Sequence, residues 1–138
     1  TVAGRPFVRP WWWFDPAISG EAMADVGTHL ADLALGLVAP DQPVDYRTDV
    51  RLLAASRWPL ELSEARFHVL TGLPEFPREL SGRVANGVLE YAGNNAATFT
   101  LRGVHVKLVT RWGYEPLDGG DTHRAVARGT AAEVAVRQ

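Results

Sequence analysis

The sequence predicts an α+β domain in which an antiparallel sheet carries helices packed on one face and leaves its other face open. Two patterns indicate this fold class. From Asn86 onward, runs that alternate apolar and polar residues are separated by glycine and asparagine, which is typical of half-buried antiparallel strands. Upstream, residues 19–38 place apolar residues at helical spacing, and a shorter helix follows. Helices and strands in separate runs favour an α+β architecture.

The composition narrows the classes of protein to which the chain can belong. Its 138 residues indicate one domain, and a hydrophobic fraction of 46% is enough for a buried core. Because cysteine is absent, disulfides, thiolate metal ligands and cysteine nucleophiles are excluded, and we expect a cytoplasmic protein. A net charge of −2 with scattered basic residues argues against nucleic acid as a partner. We also expect no membrane partner, since the longest apolar run is too short to span a bilayer.

An aromatic run, WWWF at positions 11–14, marks the N-terminal segment. Three prolines within residues 1–18 rule out a long helix there, so we predict extended and loop structure. In a strand, Trp11 and Trp13 would share one face. The rings could cap a core. Alternatively, Trp13 contacts a substrate, since tryptophan offers a flat apolar face and an N–H donor.

Residues 19–38 are predicted to form one amphipathic helix with an unusual polar stripe. The apolar stripe, spaced i, i+3, i+4 and i+7, consists of Met23, Val26, Leu30, Leu33, Ala34 and Leu37. Asp25, His29 and Asp32 fall on a different stripe. A histidine with a carboxylate one turn away on either side can hold and tune a proton. The alternative is a surface helix whose solvated face happens to be rich in Asp and His.

The middle of the chain predicts a strand, a short helix and an irregular segment. Residues 44–58 read as a long strand that Pro59 ends. Ser63 is placed to cap a helix over residues 64–71, and a glycine follows that helix. Residues 73–85 contain two prolines and little periodicity, so we predict an irregular excursion.

The C-terminal third predicts strands and turns. The strand-like runs before the break at residues 119–121 are GVLEYAG, ATFTLRG and VHVKLVTRWGYE. THRAVARG and TAAEVAVRQ then predict a hairpin about residues 128–130.

Two other histidines, His105 and His123, lie in this C-terminal third. Together with His29 and Asp25 they could form a metal site, but no short His-x-His or His-x-x-x-His spacing supports one, so no metal is predicted. His105 could instead contact substrate across the sheet. Further candidates for the sheet face are Arg102, Arg111 and Trp112.

Two segments resemble a known family. The run WFDPAISGEAMADVGTHLADLALGL, with its D-x-G-x-H-x-x-D motif on the helix, resembles the opening of the C-terminal domain of the Gfo/Idh/MocA oxidoreductases. The hairpin ARGTAAEVAVR resembles that family's closing strand pair. The excursion at 59–85 and the many aromatic residues indicate the subgroup known as the putative oxidoreductase C-terminal domain.

This resemblance implies a protein of two domains with different functions. Residues 1–138 would be a single C-terminal domain for substrate binding and oligomerisation, and the N-terminal Rossmann domain of the same protein would be absent from this chain. The lack of G-x-G-x-x-G and the start on Thr1 rather than Met agree with that expectation. NAD or NADP would then be bound mainly by the missing domain. A homo-oligomer would form through the open sheet face.

The resemblance also implies roles for individual residues. His29 would be the acid/base that takes the hydroxyl proton of a sugar or polyol-like alcohol, and Asp25 would tune or position it. Asp32 could orient the ring or contact the substrate. One departure from the family is Glu21, which follows Gly20 where relatives have a second glycine. Because the fold alone does not establish catalysis, the alternative function is a non-catalytic binding and oligomerisation module.

Overall fold

The structure is a computed structural model that describes residues 3–4, 7–113 and 122–137. It confirms the α+β class. The helices are α1 (Pro16–Ser19), α2 (Ala22–Val38) and α3 (Glu64–Thr71), with 3-10 turns at Trp11–Phe14 and Arg78–Arg83. The strands are β1 (Val50–Ser63), β2 (Val84–Ala85), β3 (Val88–Leu101), β4 (Val104–Thr110), β5 (Arg124–Arg128) and β6 (Glu133–Arg137).

Strand β3 is the centre of an antiparallel sheet. It pairs with β1 along one edge, and on its other edge it pairs with β2 near its start and with β4 near its end. Two-residue turns join these strands: Asn86–Gly87 leads into β3 and Arg102–Gly103 leads out of it. All four turn residues have positive φ, as tight hairpins that match the twist of the sheet require.

β3 is continuous where the sequence predicted two strands. The glycine and asparagines at 93–95 were expected to interrupt the pattern, but the pairing with β1 resumes at Asn94 and Asn95 after one register shift. The strand continues because both asparagine side chains are buried and hydrogen-bonded to neighbouring backbone groups. Buried amides with partners are tolerated in a sheet interior.

The aromatic run does not form the predicted extended structure. Trp11–Phe14 is a 3-10 turn that begins after Pro10, and Asp15 accepts a hydrogen bond from the Ala17 amide to start α1. Proline and aspartate at these positions favour a turn and a helix start over a strand. The turn buries Phe14 completely.

β1 begins later and ends later than predicted. The segment before Val50 is held as a turn, because Arg102 donates hydrogen bonds to the Pro43 carbonyl and the Asp49 carboxylate. Pro59 does not end the strand. It lies on an edge strand at a register shift between Trp58 and Leu60, where a missing N–H removes no ladder bond.

Helix α2 packs on β3 and β4 with a different stripe from the one predicted. Met23, Val26, Leu30 and Ala34 are half-buried and Gly27 is buried. Leu33 and Leu37 were expected to join that stripe, but they are 60% and 69% exposed. The buried side of the helix is therefore turned toward Gly27 and away from Leu33 and Leu37, so that only part of the predicted apolar stripe is covered. It begins at Ala22 rather than at residue 19, since Gly20 ends α1 with φ +76°.

Helix α3 confirms its predicted bounds and caps. The Ser63 hydroxyl accepts a hydrogen bond from the Arg66 amide at 3.3 Å, and Gly72 closes the helix in the left-handed region. The helix buries Phe67 in the main core. The fully or nearly fully buried members of this core are Phe14, Leu62, Phe67, Leu80, Leu89 and Tyr91.

The two faces of the sheet differ. The Asn95 side chain contacts α2. Within residues 95–101 of β3, every second residue starting from Asn95 therefore faces the helix, together with its partner on β4, such as Thr110. The intervening residues face the other way, and Val109 and His105 are exposed there. The hairpin β5–β6 pairs only with itself within the described residues. The predicted hairpin is confirmed, with its turn at residues 129–132 rather than 128–130, since Arg128 still pairs with Glu133. The break predicted at 119–121 lies outside the described residues.

Candidate functional site

The polar stripe of α2 lies on the surface of the domain. Asp25, His29 and Asp32 are all exposed, and helical spacing puts Asp25 and His29 on one face, one turn apart. The stripe is therefore free to meet a ligand or another domain. Their assignment as catalytic residues stays a prediction.

A cluster of aromatic rings and one guanidinium lies beside the start of α2. We call it the aromatic cluster, and its members are Arg9, Trp13, Tyr91 and Trp112. The rings of Trp13 and Trp112 lie 4.4 Å apart between centroids, and Tyr91 lies 5.5 Å from Trp13. The Arg9 guanidinium lies 4.3 Å from the Trp13 ring and 5.2 Å from the Trp112 ring, which is the range of favourable cation–π contacts.

Local hydrogen bonds hold the N-terminal half of this cluster in place. The Ser19 hydroxyl donates to the Trp13 carbonyl at 2.8 Å and so fastens the 3-10 turn to the end of α1. The Arg9 amide donates to the Leu70 carbonyl at 2.7 Å, which ties the chain before the turn to α3. Trp13 is thereby fixed relative to both helices.

The C-terminal half of the cluster depends on close approach of two strands. Trp112 follows β4, and its amide donates to the Asn94 side chain at 3.0 Å. A Cβ at Gly93 would lie 3.2 Å from the Trp112 Cβ and 3.1 Å from a Tyr91 ring carbon. Only glycine leaves room for Trp112 to reach Trp13 at this point.

Tyr91 links the aromatic cluster electrostatically to α2. Its pKa is raised to about 12, first by burial and then by the negative charge of Asp25, while Arg9 acts in the opposite direction. Tyr91 therefore remains a neutral phenol at physiological pH. The charge of Asp25 thus acts on Tyr91, one member of the aromatic cluster.

The first turn of α2 is bound to the sheet by polar groups. The Asn95 carboxamide accepts a hydrogen bond from the Met23 amide at 3.0 Å and donates to Glu21 at 3.1 Å. Glu21 also forms an ion pair with Arg57. An open groove of about 330 Å³ lies beside this turn, lined by Glu21, Met23, Ala55, Ser56, Arg57, Asn95, Ala96 and Ala97. Glu21, which stands where the related family has a glycine, is therefore held in place by Asn95 and Arg57.

The structure brings together some of the predicted site residues and separates others. Trp13 lies in the aromatic cluster, against Tyr91 and Trp112. His105 pairs with Thr100 on the sheet face opposite α2, so His29 and His105 of one chain lie on opposite sides of the sheet. Arg102 forms a hairpin turn rather than part of a sheet face. His123 is exposed just before β5.

Metal binding finds no support in the described residues. Among them, no group of three or more His, Asp or Glu side chains is close enough together to hold a metal ion.

Two members of the aromatic cluster, Arg9 and Tyr91, were not among the predicted site residues. Tyr91 sits in an ordinary alternating run, and Arg9 sits between prolines. The signal that could have indicated this region is the glycine with two asparagines at 93–95, since such residues inside a strand pattern mark close backbone approach or buried polar contacts.

Comparison with known proteins identifies the domain. The family described as putative oxidoreductase C-terminal domain matches residues 1–138, the whole chain. The chain belongs to this family. A crystal structure of a putative oxidoreductase from Parabacteroides merdae is similar, with a TM-score of 0.92 and 37% sequence identity. The match covers 100% of this chain and 32% of that protein.

The chain therefore spans about a third (32%) of its structural relative. No curated protein matches it. Within the described residues, no helix is both long and apolar enough to cross a lipid bilayer. The predicted membership of the putative oxidoreductase C-terminal domain family is confirmed, and the fold agrees with it.

Proposed function

We propose that this oxidoreductase C-terminal domain binds the substrate of an NAD(P)-dependent dehydrogenase and supplies its acid/base. The proposed substrate is a sugar or polyol-like alcohol, the proposed acid/base is His29, and Asp25 supports it. A Rossmann domain of the full-length protein, N-terminal to these 138 residues, would hold the cofactor. The observation that supports this proposal is the exposed Asp25–His29 stripe beside the aromatic cluster.

The chain itself does not fit a dinucleotide. It contains no G-x-G-x-x-G sequence, and a dinucleotide needs a glycine-rich turn at a helix start to cradle its pyrophosphate. When bound by the other domain, nicotinamide would accept a hydride from the alcohol carbon. This domain would bind the alcohol and accept its hydroxyl proton.

The proposed chemistry at α2 is proton transfer. As the alcohol carbon gave up its hydride to the nicotinamide, the hydroxyl proton would pass to the imidazole of His29, and the alcohol would become a carbonyl compound. Positioned general bases of this kind contribute roughly 10²–10⁴-fold to the rate. The Asp25 carboxylate, one helical turn away, stabilises the imidazolium that forms. Exposure on an outward helix face leaves both side chains accessible to a substrate.

The aromatic cluster suits a polyhydroxylated ligand. The indole rings of Trp13 and Trp112 offer apolar area together with N–H donors, and a sugar presents both C–H faces and hydroxyls. Arg9 adds N–H donors, and its guanidinium carbon lies over the rings of Trp13 and Trp112. Apolar surface that carries a few fixed polar groups is typical of the surfaces that bind small molecules.

The direct test is an assay of the full-length natural protein. Purified protein is incubated with a panel of sugars and polyols and with NAD or NADP, and reduced nicotinamide is followed by absorbance. We expect turnover with at least one substrate of this class. In parallel, calorimetric titration of the 138-residue chain with either cofactor should show no appreciable binding. Micromolar binding by that chain alone would contradict the two-domain proposal.

A second candidate function is a non-catalytic binding and oligomerisation module. The observation that favours it is exposed apolar surface away from α2: Trp58, Val109, Val134 and Val136 are all exposed. Such surface on an open sheet and an unsupported hairpin is typical of protein contacts. A full-length protein that binds sugars and self-associates, but shows no nicotinamide-dependent turnover, would support this function instead.

A further inference from the structure

Two adjacent asparagines in the middle of β3 connect the halves of the candidate site. Asn94 is 7% exposed and Asn95 is 4% exposed. A buried carboxamide lowers stability unless its oxygen and its N–H groups find partners. In this chain both side chains find them, and the partners belong to the two elements that carry the proposed substrate-binding and acid/base residues.

Asn95 replaces the missing local cap of α2. Glu21 occupies the cap position, but its side chain makes no capping hydrogen bond to the helix. The Met23 amide, one of the unsatisfied donors at a helix start, donates instead to the Asn95 oxygen at 3.0 Å. The Asn95 amide donates to Glu21 at 3.1 Å, and Arg57 holds the other carboxylate oxygen. The first turn, which ends with Asp25, is thus fastened to the central strand.

Asn94 anchors the second half of the candidate site, the segment that carries Trp112. Its oxygen accepts a hydrogen bond from the Trp112 amide at 3.0 Å, and its amide lies 3.5 Å from the Pro59 carbonyl. The first contact fixes the chain immediately after β4, where Trp112 of the aromatic cluster lies. The second bridges the register shift in β1.

We propose that Asn95 and Asn94 are positioning residues for the site: Asn95 sets the placement of the Asp25–His29 stripe, and Asn94 sets the placement of Trp112. This inference rests on the proposed function. A buried polar residue in this part of the sheet does not by itself anchor a neighbouring element, as Thr110 shows. It is the strand partner of Asn95 and is equally buried, yet within the described residues its hydroxyl has no hydrogen-bond partner.

The test compares four variants of the full-length protein. Asn95→Ala and Asn94→Ala remove the two anchors. Thr110→Val is the matched control, because it changes a neighbouring buried polar residue that contacts nothing by hydrogen bonding. Leu80→Ala controls for general loss of stability, since Leu80 lies in the core far along the chain from α2. Hydrogen exchange of the peptide containing residues 19–29 is measured by mass spectrometry, together with kcat and KM.

We expect Asn95→Ala to speed amide exchange in the first turn of α2 by roughly five- to twentyfold. It should also lower kcat by roughly 10–100-fold with little change in KM, because the acid/base is misplaced. Asn94→Ala should mainly raise KM, because Trp112 contacts substrate. Thr110→Val should change none of these quantities, and Leu80→Ala should leave the kinetic constants of the folded fraction unaltered.

Unchanged exchange in Asn95→Ala would overturn the proposal, and so would faster exchange with normal kcat, or a kcat loss of the same size in Leu80→Ala. If Asn95→Ala does not fold, Glu21→Ala is tested in its place. It removes the second half of the same anchor at a partly exposed position, and it should also speed amide exchange in the first turn of α2 and lower kcat. Normal turnover in His29→Ala would contradict the proposed function alone. In that case the exchange measurement still reports whether Asn95 holds the helix.

Discussion

Tyr91 is the residue at which the core and the candidate site meet. Its ring lies 5.5 Å from Phe14 in the core and 5.5 Å from Trp13 in the aromatic cluster. Its hydroxyl experiences the charges of Asp25 and Arg9. The aromatic cluster is therefore joined directly to a buried core residue.

The pKa of Tyr91 predicts an alkaline loss of stability. An unfolded tyrosine ionises near pH 10, whereas burial raises the folded pKa to about 12. The stabilising contribution of the neutral phenol is complete below about pH 10 and is lost as pH rises toward 12, because only the unfolded state releases its proton. Wild type should lose roughly 2 kcal/mol more than Tyr91→Phe over that interval.

Denaturant unfolding of both proteins across this pH range measures the difference. Tyr46 is 70% exposed, so Tyr46→Phe is the control and should follow the wild type. Parallel alkaline curves for wild type and Tyr91→Phe would show that Tyr91 is not the titrating group.

At the scale of elements, Gly93 sets the spacing between β3 and the chain after β4. A methyl group there would press on Tyr91 and on the Trp112 Cβ at 3.1 and 3.2 Å, which is closer than ordinary packing allows. Gly93→Ala should therefore displace Trp112 from Trp13, weaken the near-ultraviolet circular dichroism of the coupled indoles, and lower stability by roughly 1–3 kcal/mol.

Gly36→Ala is the matched control for this prediction. It adds the same methyl group on α2, where nothing lies within 4 Å. Because alanine is the better helix former, Gly36→Ala should raise stability by roughly 0.5–1 kcal/mol and leave the indole signal alone. An intact indole signal in Gly93→Ala would mean that the tryptophans do not depend on this close approach.

Elements with strong local signals were predictable, and those that depend on distant partners were not. Ser63 and Gly72 define α3 through caps that involve only neighbouring residues, so its bounds follow from the sequence. The continuity of β3 through residues 93–95 depends on Met23 and Trp112, which are distant along the chain. The same holds for β1, where an edge position makes Pro59 harmless.

The candidate site was likewise predictable only in part from the sequence. The shared face of Asp25 and His29 follows from helical spacing. The rotation of α2 that exposes Leu33 does not follow, because apolar residues surround much of that helix and only the sheet selects the buried side. The meeting of Trp13 with Trp112, and of Arg9 with both, joins opposite ends of the chain, and local pattern carries no information about such contacts.

At the scale of the whole domain, α2 covers one face of β3 and β4, and the opposite face of these strands exposes Val109 and His105. We predict that the full-length protein forms dimers or higher oligomers through this open face. Val109→Glu places a charge on the open face and should shift sedimentation toward the monomer. Val69→Glu, on the exposed side of α3, should not. Equal behaviour of the two variants would exclude the open face as the interface.

The central claim concerns what the exposed side of α2 does. His29 has no part in the core, so its removal should affect chemistry rather than folding. Two controls isolate that effect. His68→Ala makes the same substitution at an exposed position of α3, and Leu30→Ala removes a half-buried contact of α2, which should lower stability by roughly 2 kcal/mol without a specific loss of turnover.

The measurement that tests this claim most directly is kcat of the full-length His29→Ala protein in the nicotinamide-reduction assay. We predict a decrease of roughly 10²–10⁴-fold, a free energy of unfolding within about 0.5 kcal/mol of wild type, and normal turnover in His68→Ala. Near-normal turnover in His29→Ala, or unfolding of that variant as severe as in Leu30→Ala, would contradict the assignment of His29 as the acid/base.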